Sequence, residues 1–170
     1  MSNNIFLVGP MGAGKSTIGK MLADRTGRKF IDVDSVIVEK TGVEIDLIFE
    51  IEGESGFRKR ECKLIEELTA LDDIVLATGG GAVLSDANRK LLKQRGTVVY
   101  LQASAGQLFD RTAKDKKRPL LQTEDRLGKI REILAVREPL YMEIADEVVA
   151  TDGKSVKQIV DMLCKSRAAS

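Results

Sequence analysis

The sequence predicts an α/β protein built around a parallel sheet. Short, continuous apolar runs recur along the 170-residue chain, and the first is followed at once by glycines. Such runs are typical of strands that are buried on both faces, as in parallel sheets. Segments with helical periodicity lie between the runs, and this alternation indicates βαβ units with right-handed crossovers. We therefore expect a three-layer α/β/α architecture.

The predicted strands and helices follow one another in a regular order. Four runs have clear strand character, and a shorter segment is a fifth candidate. Because ligands bind beyond the carboxyl ends of strands in open sheets of this kind, we looked for functional residues just after each run. The strands are Ile5–Val8, Lys29–Asp32 (the shorter candidate), Ile74–Ala77, Thr97–Leu101 and Glu147–Ala150, and the helices are 16–27, 43–54, 56–71, 86–95, 105–114, 125–145 and 155–167.

Composition indicates an ordinary globular protein without a global charge signal. The length fits a single domain covering residues 1–170. The 27 basic and 26 acidic residues give a net charge of +1, which provides no overall field to attract nucleic acid or an anionic membrane. The chain has no histidine, so any proton transfer must use a carboxylate, a lysine or water. We find no signal-peptide pattern or spanning segment, and we expect a cytoplasmic monomer.

The segment after the first strand, residues 9–17, matches G-x-x-x-x-G-K-[ST], the phosphate-binding loop or P-loop. Its glycines let backbone N–H groups converge on phosphate oxygens, and the following helix adds the positive end of its dipole. Lys15 is placed to reach the β- and γ-phosphates, and Ser16 to put its hydroxyl on Mg²⁺. The alternative is a plain glycine-rich turn with a solvated lysine. The predicted nucleotide-binding residues of the loop are Gly12, Ala13, Gly14, Lys15, Ser16 and Thr17.

Two aspartates, Asp32 and Asp34, follow the second predicted strand. If the strand continued through them, both carboxylates would lie on one face, one serving the metal's water shell and the other meeting an acceptor hydroxyl. Asp32 is the candidate metal contact, because the glycines after the next strand replace the strand-ending aspartate that many P-loop proteins use. The alternative is an ordinary acidic helix N-terminus, where aspartate is favoured.

Three consecutive glycines, Gly79, Gly80 and Gly81, end a buried strand. This arrangement is costly unless a ligand or another part of the chain must approach closely. We interpret the three glycines as a wall of the substrate site. A plain turn is the alternative.

Taken in order, the motifs of this chain resemble those of shikimate kinases over nearly its whole length. The resemblance implies a nucleoside monophosphate kinase-like, P-loop NTPase fold with a five-stranded parallel sheet and a mobile lid. It also implies ATP and shikimate as substrates, with Mg²⁺ accompanying ATP. The motifs are the P-loop, Asp32-Val33-Asp34, Gly56-Phe57-Arg58, Thr78-Gly79-Gly80-Gly81, Arg118-Pro119-Leu120 and Arg137-Glu138-Pro139-Leu140-Tyr141.

The resemblance places the acceptor-binding region at residues 32–61. It implies that Asp34 binds the ring hydroxyls of the acceptor, that Arg58 and Arg137 hold its carboxylate, and that Gly80 offers a backbone contact. Two guanidinium groups suit a small acid because each can form paired, charge-assisted hydrogen bonds with a carboxylate. We expect Asp34 to orient the attacking hydroxyl and to accept its proton.

Ordinary structural roles compete with these assignments. Taken alone, Arg58 would fit an ion pair with Glu54 or Glu61, and Arg137 one with Glu138 or a neighbour. Two aromatic residues, Phe49 and Phe57, fit the acceptor pocket and the protein core about equally well.

The predicted lid covers residues 112–124. By resemblance, Arg118 comes over the transferring phosphate and joins Lys15 and Asp34 as a catalytic residue, while Arg111 stacks on adenine and Lys154 lies in a loop that touches the base. Neutralising the charge of the transferring group is the physical role of such an arginine. Lys116 and Lys117 fit a solvated basic loop.

Two rival functions remain open at this point. A related small-molecule kinase, such as a gluconate or nucleotide kinase, would share the phosphate-binding loop and the lid. A nucleotide-dependent switch would need a guanine-specifying N-K-x-D element, and the sequence has no such tetrapeptide.

Overall fold

The structure, a computed structural model, describes residues 2–113 and 123–168, and its centre is one parallel sheet of five strands. The strands are β1 Ile5–Val8, β2 Lys29–Asp32, β3 Ile74–Ala77, β4 Thr97–Gln102 and β5 Glu147–Ala150. Their order is β2-β3-β1-β4-β5, and Ile5 of the central strand lies opposite Val75 on one side and Thr97 on the other. The predicted five-stranded parallel sheet is confirmed.

Helices connect the strands, and five of them begin at a serine or aspartate that accepts a hydrogen bond from the backbone N–H three residues later. Such caps satisfy backbone donors that a helix start leaves unpaired. Within the described ranges, no helix is both long and apolar enough to cross a membrane. The helices are α1 Lys15–Thr26, α2 Val33–Thr41, α3 Ile45–Leu68, α4 Asp86–Arg95, α5 Ala105–Arg111, α6 Arg126–Ile144 and α7 Val156–Ala168, with a 3-10 turn at Ala82–Leu84.

The core has two apolar clusters, one on each face of the sheet. Alternate residues of β1 enter opposite clusters because side chains of a strand point to alternate faces. Phe6 packs in the cluster that includes Ile65 of α3, whereas Leu7 packs in the cluster that includes Ile18 of α1 and Val160 of α7. These buried layers confirm the α/β/α architecture.

The structure differs from the sequence prediction after β2. The strand ends at Asp32, and helix α2, which was not predicted, begins at the next residue. Asp32 is its N-cap and Gly42 its C-cap, with a φ of 74°. The predicted break between two helices near residue 55 lies at Gly53 within α3, where φ is 73° and ψ is 175°.

Candidate active site

The phosphate-binding loop joins the central strand β1 to α1. β1 pairs with β3 on one side and β4 on the other, so the loop lies where the strand order reverses, the usual ligand site of open α/β sheets. Gly12 and Gly14 have φ values of 85° and 94°, which disfavour any side chain. The Lys15 ammonium donates to the carbonyls of Gly9 at 2.6 Å and Pro10 at 2.8 Å, and the residue is only 9% exposed. The alternative of a solvated lysine is therefore wrong.

Ser16, Asp32 and Asp34 meet beside this loop. The Ser16 hydroxyl donates a hydrogen bond to the Asp32 carboxylate, which also accepts from the backbone N–H of Ser35 at 3.2 Å. Asp34 lies in the first turn of α2. The strand does not continue from Asp32 to Asp34, because Asp32 ends β2 and its side chain caps α2, as the helix N-terminus alternative predicted. Both nevertheless line the same cleft.

A cleft of about 550 Å³ runs from the phosphate-binding loop to the glycines that follow β3. Its volume is in the range of small-ligand sites. It brings together the carboxyl ends of β1, β2 and β3, as the sequence predicted for an open sheet. The lining residues are 11–18, Asp32, Asp34, Ser35, Thr78, Gly79, Gly80, Arg111 and Val156.

The three glycines after β3 pack directly against charged side chains. A Cβ atom on Gly79 would lie 2.7 Å from a carboxylate oxygen of Glu61, and one on Gly80 would lie 3.4 Å from Arg137 Nη1. A Cβ atom on Gly81 would overlap the guanidinium of Arg58. Close approach of Glu61 and Arg58 favours glycine at positions 79 and 81, and at Gly80 the tightest neighbour of a Cβ atom would be the backbone nitrogen of Met11 at 3.3 Å.

Arg58 forms ion pairs with two residues of its own helix. Its guanidinium lies 3.0 Å from the Glu61 carboxylate and 3.3 Å from the Glu54 carboxylate. Both are the ion-pair partners that the sequence offered as an alternative to a ligand-binding role. Glu61 is fully buried, and this burial raises its pKa although Arg58 acts in the opposite direction. The Arg58–Glu61 pair is thus an interior contact and not a solvated surface pair.

Arg137 is buried in α6, with 5% of its surface exposed. No carboxylate in residues 2–113 and 123–168 forms an ion pair with it, and this includes Glu138. Burial lowers the pKa of Arg137, and the nearby positive charge of Arg58 adds to the effect. A buried guanidinium of this kind favours an anionic ligand.

The nucleotide end of the cleft includes Arg111 but not Lys154. Arg111 Nη1 donates to the Gly12 carbonyl at 3.1 Å. The Lys154 ammonium instead donates to the Ala150 carbonyl at 2.7 Å, and Val156 lines the cleft in that part of the chain. Arg118, Lys116 and Lys117 lie outside the described residues, as does most of the predicted lid.

Two residues beside the glycines had no predicted functional role. Glu61 follows Arg58 by one helical turn, and Tyr141 follows Arg137 by one turn and donates to the Gly80 carbonyl at 2.5 Å. The sequence signal that could have identified both residues is their spacing of one helical turn from Arg58 and Arg137.

The two predicted aromatic residues stack on each other at a ring-centroid distance of 4.8 Å. Phe57 is buried in the core, and Phe49 packs against that core while remaining partly exposed. Neither residue lines the main cleft.

The fold and the cleft together define a P-loop phosphotransferase. The family model described as Shikimate kinase matches residues 11–167 of this chain. The chain therefore belongs to the shikimate kinase family.

Individual relatives agree with this assignment. The shikimate kinase of Nitrosococcus oceani is 56% identical over 158 residues, which cover 93% of this chain and 83% of the relative. The structure of shikimate kinase from Acinetobacter baumannii in complex with shikimate has a TM-score of 0.96 at 46% identity, covering 99% of this chain and 94% of that one. The structure of a gluconokinase from Sinorhizobium meliloti is 18% identical and has a TM-score of 0.63, and the match covers 94% of this chain and 88% of that one. This likeness concerns the fold alone.

Proposed function

We propose that this chain transfers the γ-phosphoryl group of ATP to the 3-hydroxyl of shikimate, which yields ADP and shikimate 3-phosphate for chorismate and aromatic amino-acid biosynthesis. Its family makes it an ATP-dependent kinase that acts on a hydroxyl group. The observation that carries the choice of acceptor is Arg137, a buried guanidinium with no carboxylate partner in the described part of the chain. Together with Arg58 it flanks the triple glycine, of which Gly79 and Gly80 line the cleft beside the phosphate-binding loop.

At the nucleotide end, the loop amides and Lys15 bind the phosphates. The Lys15 ammonium donates to two carbonyls of the loop itself, which keeps its charge at the place where the phosphates would bind. Arg111 beside Gly12 is our candidate for the adenine contact, with Lys154 as a weaker one.

The residues beside the loop fit a magnesium ion that is held mainly by the nucleotide. Mg²⁺ commonly takes only one or two protein oxygens, with phosphates and water completing its shell. The hydrogen-bonded pair Ser16 and Asp32 provides such oxygens, and the described residues contain no cluster of three or more acidic, cysteine or histidine side chains. Ser16 would hold the ion directly and Asp32 through its water shell. Bound Mg²⁺ neutralises charge on the phosphates.

At the acceptor end, Asp34 is placed to meet the attacking hydroxyl. Its carboxylate reaches the Gly79 side of the cleft, close to where Arg58 and Arg137 would hold the acid group. Asp34 then orients the hydroxyl and takes up its proton, while Lys15 and Arg118 stabilise the transferring group. Closure of a lid that includes Arg118 would exclude water, which otherwise competes for the phosphoryl group.

Of the rival acceptors, a nucleotide suits this cleft less well, and gluconate is distinguished by assay. Gluconate shares the carboxylate, but a nucleotide acceptor would need phosphate and base recognition. We further propose that the protein acts as a cytoplasmic monomer without nucleic-acid or membrane partners. Its net charge of +1 supports the absence of such polyanionic partners.

An acceptor panel tests the proposal. ADP release is measured with MgATP alone and with shikimate, gluconate or AMP added at equal concentrations. We expect fast release only with shikimate. Faster release with gluconate or AMP, or release that no acceptor stimulates, would contradict the proposed reaction.

A further inference from the structure

The buried Tyr141 hydroxyl contacts the backbone of Gly80, at the proposed acceptor end of the cleft. It donates to the Gly80 carbonyl at 2.5 Å, across 61 positions of sequence. Tyr141 is 0% exposed, and its ring packs on that of Tyr100 with centroids 4.9 Å apart. A hydroxyl this deeply buried is held in one orientation, so the peptide it contacts is held as well.

The hydrogen bond fixes the direction of the Gly80–Gly81 peptide. The described residues contain no cis peptide, so the N–H of Gly81 points away from the carbonyl that Tyr141 binds. The carbonyl of the preceding Gly79–Gly80 peptide accepts a hydrogen bond from the Ala82 N–H at 3.1 Å. The Gly80 N–H belongs to this trans peptide, so its direction is fixed as well. Neither of these two N–H groups donates a hydrogen bond within residues 2–113 and 123–168.

Tyr141 also lies near Arg137. Tyr141 lies one helical turn after Arg137 in α6, and the two side chains interact electrostatically. Gly80 is their common neighbour, because a Cβ atom there would lie 3.4 Å from Arg137 Nη1. Burial raises the pKa of Tyr141 further than that of Tyr100, which rises to about 12, so both hydroxyls are protonated at neutral pH.

We propose that Tyr141 is a positioning residue for the acceptor, because it holds the Gly80 peptide, beside the Arg137 guanidinium, in the orientation that a small carboxylic acid requires. This inference rests on the proposed function. It predicts a larger effect on acceptor binding than on nucleotide binding, since Tyr141 forms no hydrogen bond with the phosphate-binding loop in the described chain.

The chain offers a matched control in Tyr100. Its ring stacks on Tyr141 in the same core, but its buried hydroxyl has no hydrogen-bond partner among the described residues. Tyr100→Phe therefore removes a hydroxyl from the same environment without touching Gly80. Both variants keep the aromatic ring and the packing volume.

The experiment compares the KM for shikimate with the KM for ATP in the wild type, Tyr141→Phe and Tyr100→Phe, with thermal melting in parallel. We expect Tyr141→Phe to raise the shikimate KM about three- to tenfold, as for loss of one hydrogen bond that positions a ligand group. The ATP KM of Tyr141→Phe, and both KM values of Tyr100→Phe, should stay within about twofold of wild type. Because a KM describes the folded enzyme, a lower Tm does not obscure this difference.

A rescue variant sharpens the test. Replacement of Tyr141 by 4-aminophenylalanine restores a donor at the same place and should return the shikimate KM towards wild type. The inference is overturned if Tyr141→Phe leaves the shikimate KM unchanged, if it raises both KM values alike, if Tyr100→Phe has the same effect, or if the folded amine variant is not rescued. If the wild type does not phosphorylate shikimate at all, the proposed function fails instead.

Discussion

The nucleotide end and the acceptor end of the cleft are built in different ways. The phosphate-binding part of the nucleotide end is one continuous segment, residues 9–17, in which Lys15 is held by carbonyls of its own loop. The proposed acceptor end combines Asp34 of α2, Arg58 of α3, the glycines after β3 and Arg137 of α6. The first is therefore a local motif, whereas the second exists only when distant segments have folded together.

This difference indicates which part of the cleft determines the choice of nucleotide and which the choice of acceptor. A local loop that binds phosphate through backbone groups suits any nucleoside triphosphate, and P-loop proteins share it. An assembled pocket can change its acceptor through single side chains, because each of them comes from a separate element. The two ends should therefore respond differently to mutation.

The largest expected effect is at the nucleotide end. Lys15→Met removes the charge over the β- and γ-phosphates, and we expect kcat to fall about 10³-fold. Lys20→Met, at an exposed position of the same helix, is the control and should keep its activity. If kcat of Lys15→Met stayed near the wild-type value, the loop would not be the site of phosphoryl transfer.

Asp34 joins the two ends, and its replacement should have the next largest effect. Asp34→Asn keeps the shape but removes the acceptor of the hydroxyl proton, so we expect kcat to fall about 10²-fold. Glu39→Gln, an exposed change on α2, serves as the control. A near-normal kcat with intact folding would remove the proposed base role.

At the acceptor end, Arg58→Lys should separate the two substrates. A lysine cannot reproduce the paired hydrogen bonds of a guanidinium, so we expect the shikimate KM to rise about 30-fold and the ATP KM to change little. Arg60→Lys is the control, because Arg60 pairs with Glu52 on the exposed side of α3. An equal rise of the KM for shikimate and the KM for ATP would contradict the distinction between the two ends.

The smallest of these effects concerns the metal. Asparagine is a good N-cap, so Asp32→Asn should preserve α2 while weakening the metal's outer contacts. We expect the Mg²⁺ concentration for half-maximal activity to rise about tenfold. Asp125→Asn, which changes the N-cap of α6, controls for capping. An unchanged Mg²⁺ requirement would assign Asp32 a capping role alone.

The same contrast explains how much the sequence could predict. The sheet followed from apolar runs, and residues 9–17 from their spacing, because both signals are local. The two arginines proposed for the acceptor were reached only through resemblance, since no periodicity connects Arg58 with Arg137. The buried state of Glu61 and the Tyr141–Gly80 bond depend on packing between α3, α6 and the loop after β3, which a local pattern does not encode.

Helix α2 is the clearest miss. A helix N-terminus at the aspartates was predicted only as an alternative, and no helix was predicted over 33–41, although Asp32 before Val33 and Gly42 after Thr41 are ordinary helix start and stop signals. The aspartate pair satisfied both a metal-site and a capping interpretation. The structure shows that Asp32 caps α2 and hydrogen-bonds Ser16 at the same time.

Product identification tests the central claim most directly. The enzyme is incubated with shikimate and MgATP, and the products are followed by ³¹P NMR and mass spectrometry. We predict a phosphate monoester on the 3-hydroxyl of shikimate, formed in amounts equal to ADP. ADP accompanied only by inorganic phosphate, or a phosphate attached at another position of the acceptor, would contradict the account.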